Sequence, residues 1–234
     1  GLSSGRPRNG AGHIDRFETW LDDLAQMLPW AEEALGGPVI PLGHSMGGHL
    51  LLRHLVADPR SVPAAILTAP FCGFVQPLAA SRGLARLARL MVRLGRGTSF
   101  APGQKPFGAY RMATGRMALL TSDPEQFADE GRWVAANPAL ATGGVSWGWL
   151  AAAHASLKAL RAAPLERCST PILMLLAGRE RLVSNAAAWR IARRLPACRV
   201  ETLPEAAHEI LRESDPVRAH ALSLVADFAA RRAA

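Results

Sequence analysis

Gly43-His44-Ser45-Met46-Gly47 sets a serine between two glycines and fits the pattern G-x-S-x-G. A short apolar run at 39–42 precedes it, and an apolar-faced helical stretch at 49–56 follows. A strand that turns this sharply into a helix lifts one hydroxyl clear of the sheet, where it can attack a carbonyl carbon. The expected reason for Gly43 and Gly47 is steric, since a Cβ at either would meet backbone across the turn. The same turn aims the backbone N–H of Met46, at a helix start, at the place where an oxyanion would develop.

A serine hydroxyl is a poor nucleophile without a base, and the base needs an acid to orient it. The apolar run 172–177 ends in GRERLVSN, where Glu180 is the single carboxylate. The run 199–203 ends in PEAAHEIL, which puts His208 on the next loop. The order serine, acid, histidine is therefore met by Ser45, Glu180 and His208. Glu180 sits between Arg179 and Arg181 and also reads as a solvated surface charge. Glu205 and Glu209 are alternative acids, but they share the base's own loop. His44 reads as a packing residue of the turn. His13, His49, His54, His154 and His220 follow no catalytic pattern.

The elements that must hold these residues can be read from hydrophobic spacing. Residues 15–35 form an amphipathic helix pattern with Phe17, Trp20, Leu21, Leu24, Met27 and Leu28, stopped by Gly36-Gly37-Pro38. Apolar strand candidates fall at 39–42, 64–69, 172–177 and 199–203. Helical stretches at 49–56, 185–195 and 215–232 alternate with them, the last with Pro216 in its first turn. This alternation predicts an α/β fold: a mostly parallel sheet with helices on both faces. Pro41 is then out of place, because a central strand loses a ladder hydrogen bond at proline. From 74 to 164 the chain is helix-like, with loops at 95–108 and 137–144. It is expected to be a helical cap inserted between two parts of the core, 1–73 and 165–234. Ser122-Asp123-Pro124-Glu125 reads as a helix start within it.

Composition narrows the function classes. Hydrophobic residues make up 49% of the 234 and charged residues 20%, as in ordinary globular proteins. No apolar run approaches the length of a membrane span. Cys72, Cys168 and Cys198 are scattered, with no metal spacing and no disulfide framework, which favours a reducing compartment. The net charge of +8 comes almost wholly from arginine, since Lys105 and Lys158 are the only lysines. No basic tract is interleaved with aromatics, so nucleic acid is not an expected partner.

The residues quoted so far carry a family resemblance. With GHIDRFETWLDDL, LGHSMGG, LTAPFCGF, TPILMLLAGRERLVSN and EAAHEILRESDPVRAHAL, the chain resembles the monoacylglycerol lipase and lysophospholipase branch of the α/β-hydrolases. The likeness to the lysophospholipase L2 type spans nearly the whole sequence. It implies Ser45 as nucleophile, His208 as base and Glu180 as acid, with Glu rather than Asp as in the lysophospholipase members. Dehalogenases and epoxide hydrolases are disfavoured, because they carry Asp where this chain has Ser45. The family sheet has eight strands, and four are read here. The first half of the sheet, with a loop supplying a second oxyanion donor, is expected to lie outside this sequence. Loss of one such donor typically costs about 10²–10³ in turnover.

In the cap, Arg82, Arg86, Arg89, Arg93 and Arg96 step by helical spacing, with Leu84, Leu87, Met91 and Leu94 on another face. This basic amphipathic pattern reads either as a solvated face over packed leucines or as a contact with anionic lipid. Phe71, Trp147 and Trp149 are the candidate substrate-pocket residues, with core packing of the cap an equal reading for Trp147 and Trp149. The resemblance implies a serine hydrolase that cleaves carboxylic esters of single-chain lipids, lysophospholipids or monoacylglycerols. It implies no metal or organic cofactor, and a cytoplasmic place, peripheral to the inner membrane face. Two other readings fit the same residues: a peptidase or small-ester hydrolase on this scaffold, and a truncated or degenerate, non-catalytic relative.

Overall fold

A computed structural model describes residues 2, 4–108 and 115–233. Among them are four strands, β1 (Leu42–His44), β2 (Ala65–Thr68), β3 (Ile172–Ala177) and β4 (Cys198–Leu203). They form one parallel sheet in the order β1-β2-β3-β4. Gly43 lies opposite Leu67, Thr68 opposite Leu175, and Ala177 opposite Leu203. Helix α1 (Phe17–Leu35) precedes β1, and α2 (Met46–Ala57) leaves it directly. Between β2 and β3 come α3 (Pro77–Ala80), α4 (Arg82–Arg93), α5 (Arg116–Leu120), α6 (Pro124–Ala136) and α7 (Trp147–Ala162). Helix α8 (Asn185–Ala192) joins β3 to β4, and α9 (Asp215–Ala233) closes the chain.

Every residue of β2 and β3 is buried, which is why these runs are continuously apolar instead of alternating. Ile172, Met174 and Leu176 pack with Leu52, Leu55 and Ile191 on one face. Leu173, Leu175 and Ala177 pack with Ile210 and Phe228 on the other. The sheet is thus covered on both sides, as the alternation of elements predicts.

Three local expectations change. The first strand begins at Leu42 instead of 39, so Pro41 stands just outside it. Among the described residues β1 is an edge strand, and Pro41 serves only as an acceptor, from the Ile66 N–H at 2.9 Å. Its missing N–H therefore breaks no ladder bond. Met27 of α1 is exposed although its spacing matches the buried face. On α4, Leu84 and Met91 pack against Trp147 and Leu150 of α7, whereas Leu87 and Leu94 are exposed. One packing partner covers only a narrow stripe of that helix. Helix α6 starts as expected: the Asp123 carboxylate accepts the N–H groups of Glu125 and Gln126, with Pro124 in the first turn.

The inserted stretch is not uniformly peripheral. Helix α7 sends Ala153 and Leu157 into a cluster with Phe17, Leu50 and Phe71, and its Leu160 packs with Leu67 and Ile172 of the sheet. Its N-terminus is fixed by the Ser146 hydroxyl, which accepts the Trp149 N–H at 3.1 Å.

Candidate active site

Ser45 stands between β1 and α2 with φ 51° and ψ −113°, in the left-handed half of backbone space that favours glycine. Its main chain is pinned on both sides. The Ser45 N–H donates to the Thr68 carbonyl at 2.9 Å. The Ser45 carbonyl accepts from His49 at 3.0 Å and from Phe71 at 2.9 Å. The turn is as tight as the glycine pattern implies, but the glycines responsible differ from the expectation. A Cβ on Gly43 would lie 2.8 Å from the Gly47 carbonyl oxygen and from Gly48 backbone. A Cβ on Gly48 would lie 2.9 Å from the Gly43 carbonyl oxygen, and one on Gly47 would meet nothing within 4 Å. The close pair is Gly43 with Gly48, and Gly47 is not sterically required.

The loops after β3 and β4 bring up the other two side chains. His208 Nε2 lies 2.9 Å from Ser45 Oγ, and His208 Nδ1 lies 2.7 Å from Glu180 Oε2. The Glu180 side chain is only 1% exposed and that of His208 7%, so this is not a solvated surface charge. The other carboxylate oxygen, Oε1, accepts the backbone N–H groups of Arg181, Leu182 and Val183 at 3.0, 2.8 and 3.2 Å. Burial alone would raise the Glu180 carboxyl. The hydrogen bond and charge of His208, with the Leu182 and Val183 N–H groups, outweigh it and hold the pKa below the ordinary value. Glu180 is thereby kept ionised beside the imidazole. Glu205 and Glu209 are not within hydrogen-bond reach of His208; Glu209 instead pairs with Arg212.

Met46 opens α2, so its N–H belongs to the first helical turn, where donors have no intrahelical acceptor. With the helix dipole behind them, such donors favour an oxyanion beside Ser45. His44, on β1, packs its ring at a tilt against His208, with the centroids 4.9 Å apart, and sits 3.1 Å from the Thr68 hydroxyl. Burial, then the neighbouring His208, holds His44 below the ordinary histidine value. A neutral ring therefore backs the imidazole.

Of the expected pocket residues, Phe71 is bound to the nucleophile's turn and Trp149 packs against Phe71. Phe71 donates its N–H to Ser45, and its ring lies 6.0 Å from Trp149 and 4.9 Å from Phe74. Trp147 is buried instead against Ala88 and Ala101, at the α4–α7 contact. A separate cavity of about 510 Å³ borders the acid and histidine loops, lined by Met117, Ala118, Thr121, Glu180 and Ala207. Among the described residues no group of His, Cys, Asp or Glu has the arrangement of a metal site.

One residue of this region is not foreshadowed by any spacing. Glu213 is fully buried and accepts the Ala207 N–H at 2.7 Å and the Ser122 N–H at 3.1 Å, besides the Ser122 hydroxyl. The Glu209 N–H donates to the Leu120 carbonyl at 2.7 Å. The histidine loop is thus tied to α5 and to the start of α6.

The sequence pattern of the family described as serine aminopeptidase, S33 matches residues 1–215. The chain belongs to this family. Membership places it among the serine hydrolases of the α/β-hydrolase fold. Two relatives are 29% identical to it: the probable lysophospholipase L2 of Haemophilus influenzae over 220 residues, and lysophospholipase L2 of Escherichia coli K12 over 229. Each match takes in 93% of this chain, and the chain spans 68% and 65% of those two proteins, about two thirds of their length. Among solved structures, a soluble variant of monoglyceride lipase from Saccharomyces cerevisiae superposes with a TM-score of 0.72 at 15% identity, over 96% of this chain and 73% of that one. The monoacylglycerol lipase of Paleococcus ferrophilus gives 0.64 at 17%, over 88% and 73%. These neighbours share the S33 protein's fold. No helix among the described residues is long and apolar enough to cross a membrane.

Proposed function

We propose that this S33 protein hydrolyses carboxylic esters of single-chain lipids, lysophospholipids or monoacylglycerols, through Ser45, His208 and Glu180. The observation that carries the reading is the unbroken line of hydrogen bonds from Glu180 through His208 to Ser45, at 2.7 and 2.9 Å. His208 takes the Ser45 proton as Oγ attacks the ester carbonyl. Glu180 orients the ring and stabilises its charged form, and the Met46 N–H donates to the oxyanion. The tetrahedral intermediate collapses, His208 gives its proton to the departing alcohol, and an acyl-Ser45 remains. His208 then deprotonates a water that attacks the acyl-enzyme, and the released fatty acid returns Ser45 to its starting state.

The aromatic cluster of Phe71, Phe74 and Trp149, joined to the Ser45 turn through the Phe71 N–H, suits an acyl chain. The two L2 relatives favour the lipid substrate. Exposed Leu87, Leu90 and Leu94 next to the arginines of α4 suit peripheral contact with an anionic membrane on the cytoplasmic side.

The test is fatty-acid release from lysophosphatidylcholine and from monoacylglycerol, with Ser45→Ala as control. Release that vanishes in Ser45→Ala supports the assignment and ranks the two lipids. Release that persists in Ser45→Ala overturns it. Cleavage of an aminoacyl-naphthylamide in place of both lipids moves the reading to a peptidase on the same triad.

A further inference from the structure

Charge is distributed unevenly along this chain. No carboxylate occurs between Asp58 and Asp123, and none between Glu130 and Glu166. Helix α4 comes from the first of these stretches and α7 from the second, and the two pack side by side. The groove between them encloses about 830 Å³. Arg82, Arg86 and Arg89 wall one side, Lys158 and Arg161 the other, over Ala85, Ala151 and Ala155, and among the described residues no carboxylate lines it. A smaller cavity of about 180 Å³ shares His154 and Arg161 with the groove and adds Ser184 and Arg190.

Packing does not require these cations. The contact between α4 and α7 is made by Leu84, Ala88 and Met91 against Trp147 and Leu150, and neutral side chains would serve as well in the groove. Elsewhere arginines are answered by carboxylates: Arg53 by Glu18, Arg116 by Glu130, Arg194 by Glu166. In the groove, among the described residues, none of the five is within ion-pair distance of one. His154, which lines both cavities, has a buried Nε2 with no hydrogen-bond partner. Burial, with the charges of Arg161 and Arg89, holds it below the ordinary histidine value against a hydrogen bond to the Ala79 backbone. Like charges gathered in a concave site raise the local concentration of anions, and guanidinium forks match phosphate oxygens two at a time.

We propose that the groove between α4 and α7 is a binding site for a phosphate group, separate from Ser45. Arg86 and Arg89 take the phosphate from one side, Lys158 and Arg161 from the other. The phosphate comes either from the headgroup of an anionic phospholipid in a bilayer or from a small soluble phosphate ester. The site does not depend on the ester-hydrolase reading, because it is detected by binding alone. It is connected to the nucleophile through rings: Phe74 lies 5.2 Å from His154 and 4.9 Å from Phe71, whose N–H holds Ser45.

The test uses the Ser45→Ala protein, so that no probe is turned over. Binding of sn-glycerol 3-phosphate is measured by calorimetry, and binding to vesicles of phosphatidylcholine, with and without phosphatidylglycerol, by co-sedimentation. Arg89→Gln with Lys158→Gln removes two exposed groove cations. Arg231→Gln with Arg232→Gln removes the same charge from the end of α9. The groove pair is expected to weaken binding about tenfold or more, and the α9 pair less than about twofold. Saturable binding of sn-glycerol 3-phosphate identifies a soluble ester as the source, and binding to the phosphatidylglycerol vesicles alone identifies the bilayer headgroup. Binding of neither probe, or equal losses in the two pairs, overturns the proposal.

Discussion

Gly178 passes the main chain of Pro204 so closely that a Cβ on it would lie 2.4 Å from the Pro204 carbonyl oxygen. The acid loop and the histidine loop are joined there. The Gly178 N–H donates to the Leu203 carbonyl at 2.8 Å, and the Arg179 N–H to the Ala206 carbonyl at 2.9 Å. Glu180 and His208 meet because these backbones run together, so a methyl group at 178 forces the two loops apart. Gly178→Ala is expected to lower kcat about 100-fold, with KM near that of the parent. Steady-state kinetics on a lysophospholipid checks this, and an unchanged kcat would show that the loops absorb the shift.

The turn around Ser45 separates two glycines that look alike in the sequence. Gly43→Ala drives a methyl into the Gly47 and Gly48 backbone and is expected to cost about 1–3 kcal/mol of stability. Gly47→Ala meets open space inside α2 and is expected to be neutral, or stabilising by up to about 1 kcal/mol. Urea unfolding of the two variants decides, and equal losses would remove the distinction.

His49 makes stability depend on pH. Its ring is buried beside Phe17 and Phe71, with Nε2 2.6 Å from the Ser156 hydroxyl. Burial, then the Arg53 charge, pushes its pKa down from 6.5 to about 4. Below pH 6.5 the unfolded chain therefore binds a proton that the folded chain refuses until about pH 4. Stability is lost as pH falls through this window, by about 2 kcal/mol from this group between pH 7 and pH 5. His44, His54 and His154 are also held low and act with the same sign. His49→Gln, measured by urea unfolding at the two pH values, is expected to flatten the slope by the His49 share. Parallel slopes in parent and variant would refute this.

Glu213 is the joint between the histidine loop and the inserted helices. Glu213→Ala strands the buried N–H of Ala207 and the N–H of Ser122, at about 1–3 kcal/mol for each donor. Amide exchange across residues 116–136 is expected to speed up before that of β3 in the variant. Uniform acceleration along the chain would mean that Glu213 supports the whole fold and not this joint.

That Ser45, Glu180 and His208 come together was legible because each loop follows a recognisable apolar strand, and Glu180 is the lone carboxylate after 172–177. Gly43 was legible as a steric glycine but its partner was not, because G-x-S-x-G is symmetric in sequence, whereas the turn presses Gly43 against Gly48. Glu213 left no trace: a glutamate two residues before a helix start reads like any surface charge, and the Ser122 N–H that it accepts lies 91 residues away in the sequence. The width of the apolar stripe on α4 was equally hidden, because spacing shows which leucines share a face but not how many helices will cover it.

The left-handed backbone of Ser45 has a consequence for drift. Glycine would relieve that residue's conformation, and a chain released from chemical duty would lose little by accepting it. A random walk under selection for folding alone would therefore tend to erase the serine. In this chain the hydroxyl that faces His208 is therefore presented from a backbone conformation that glycine would hold at lower cost.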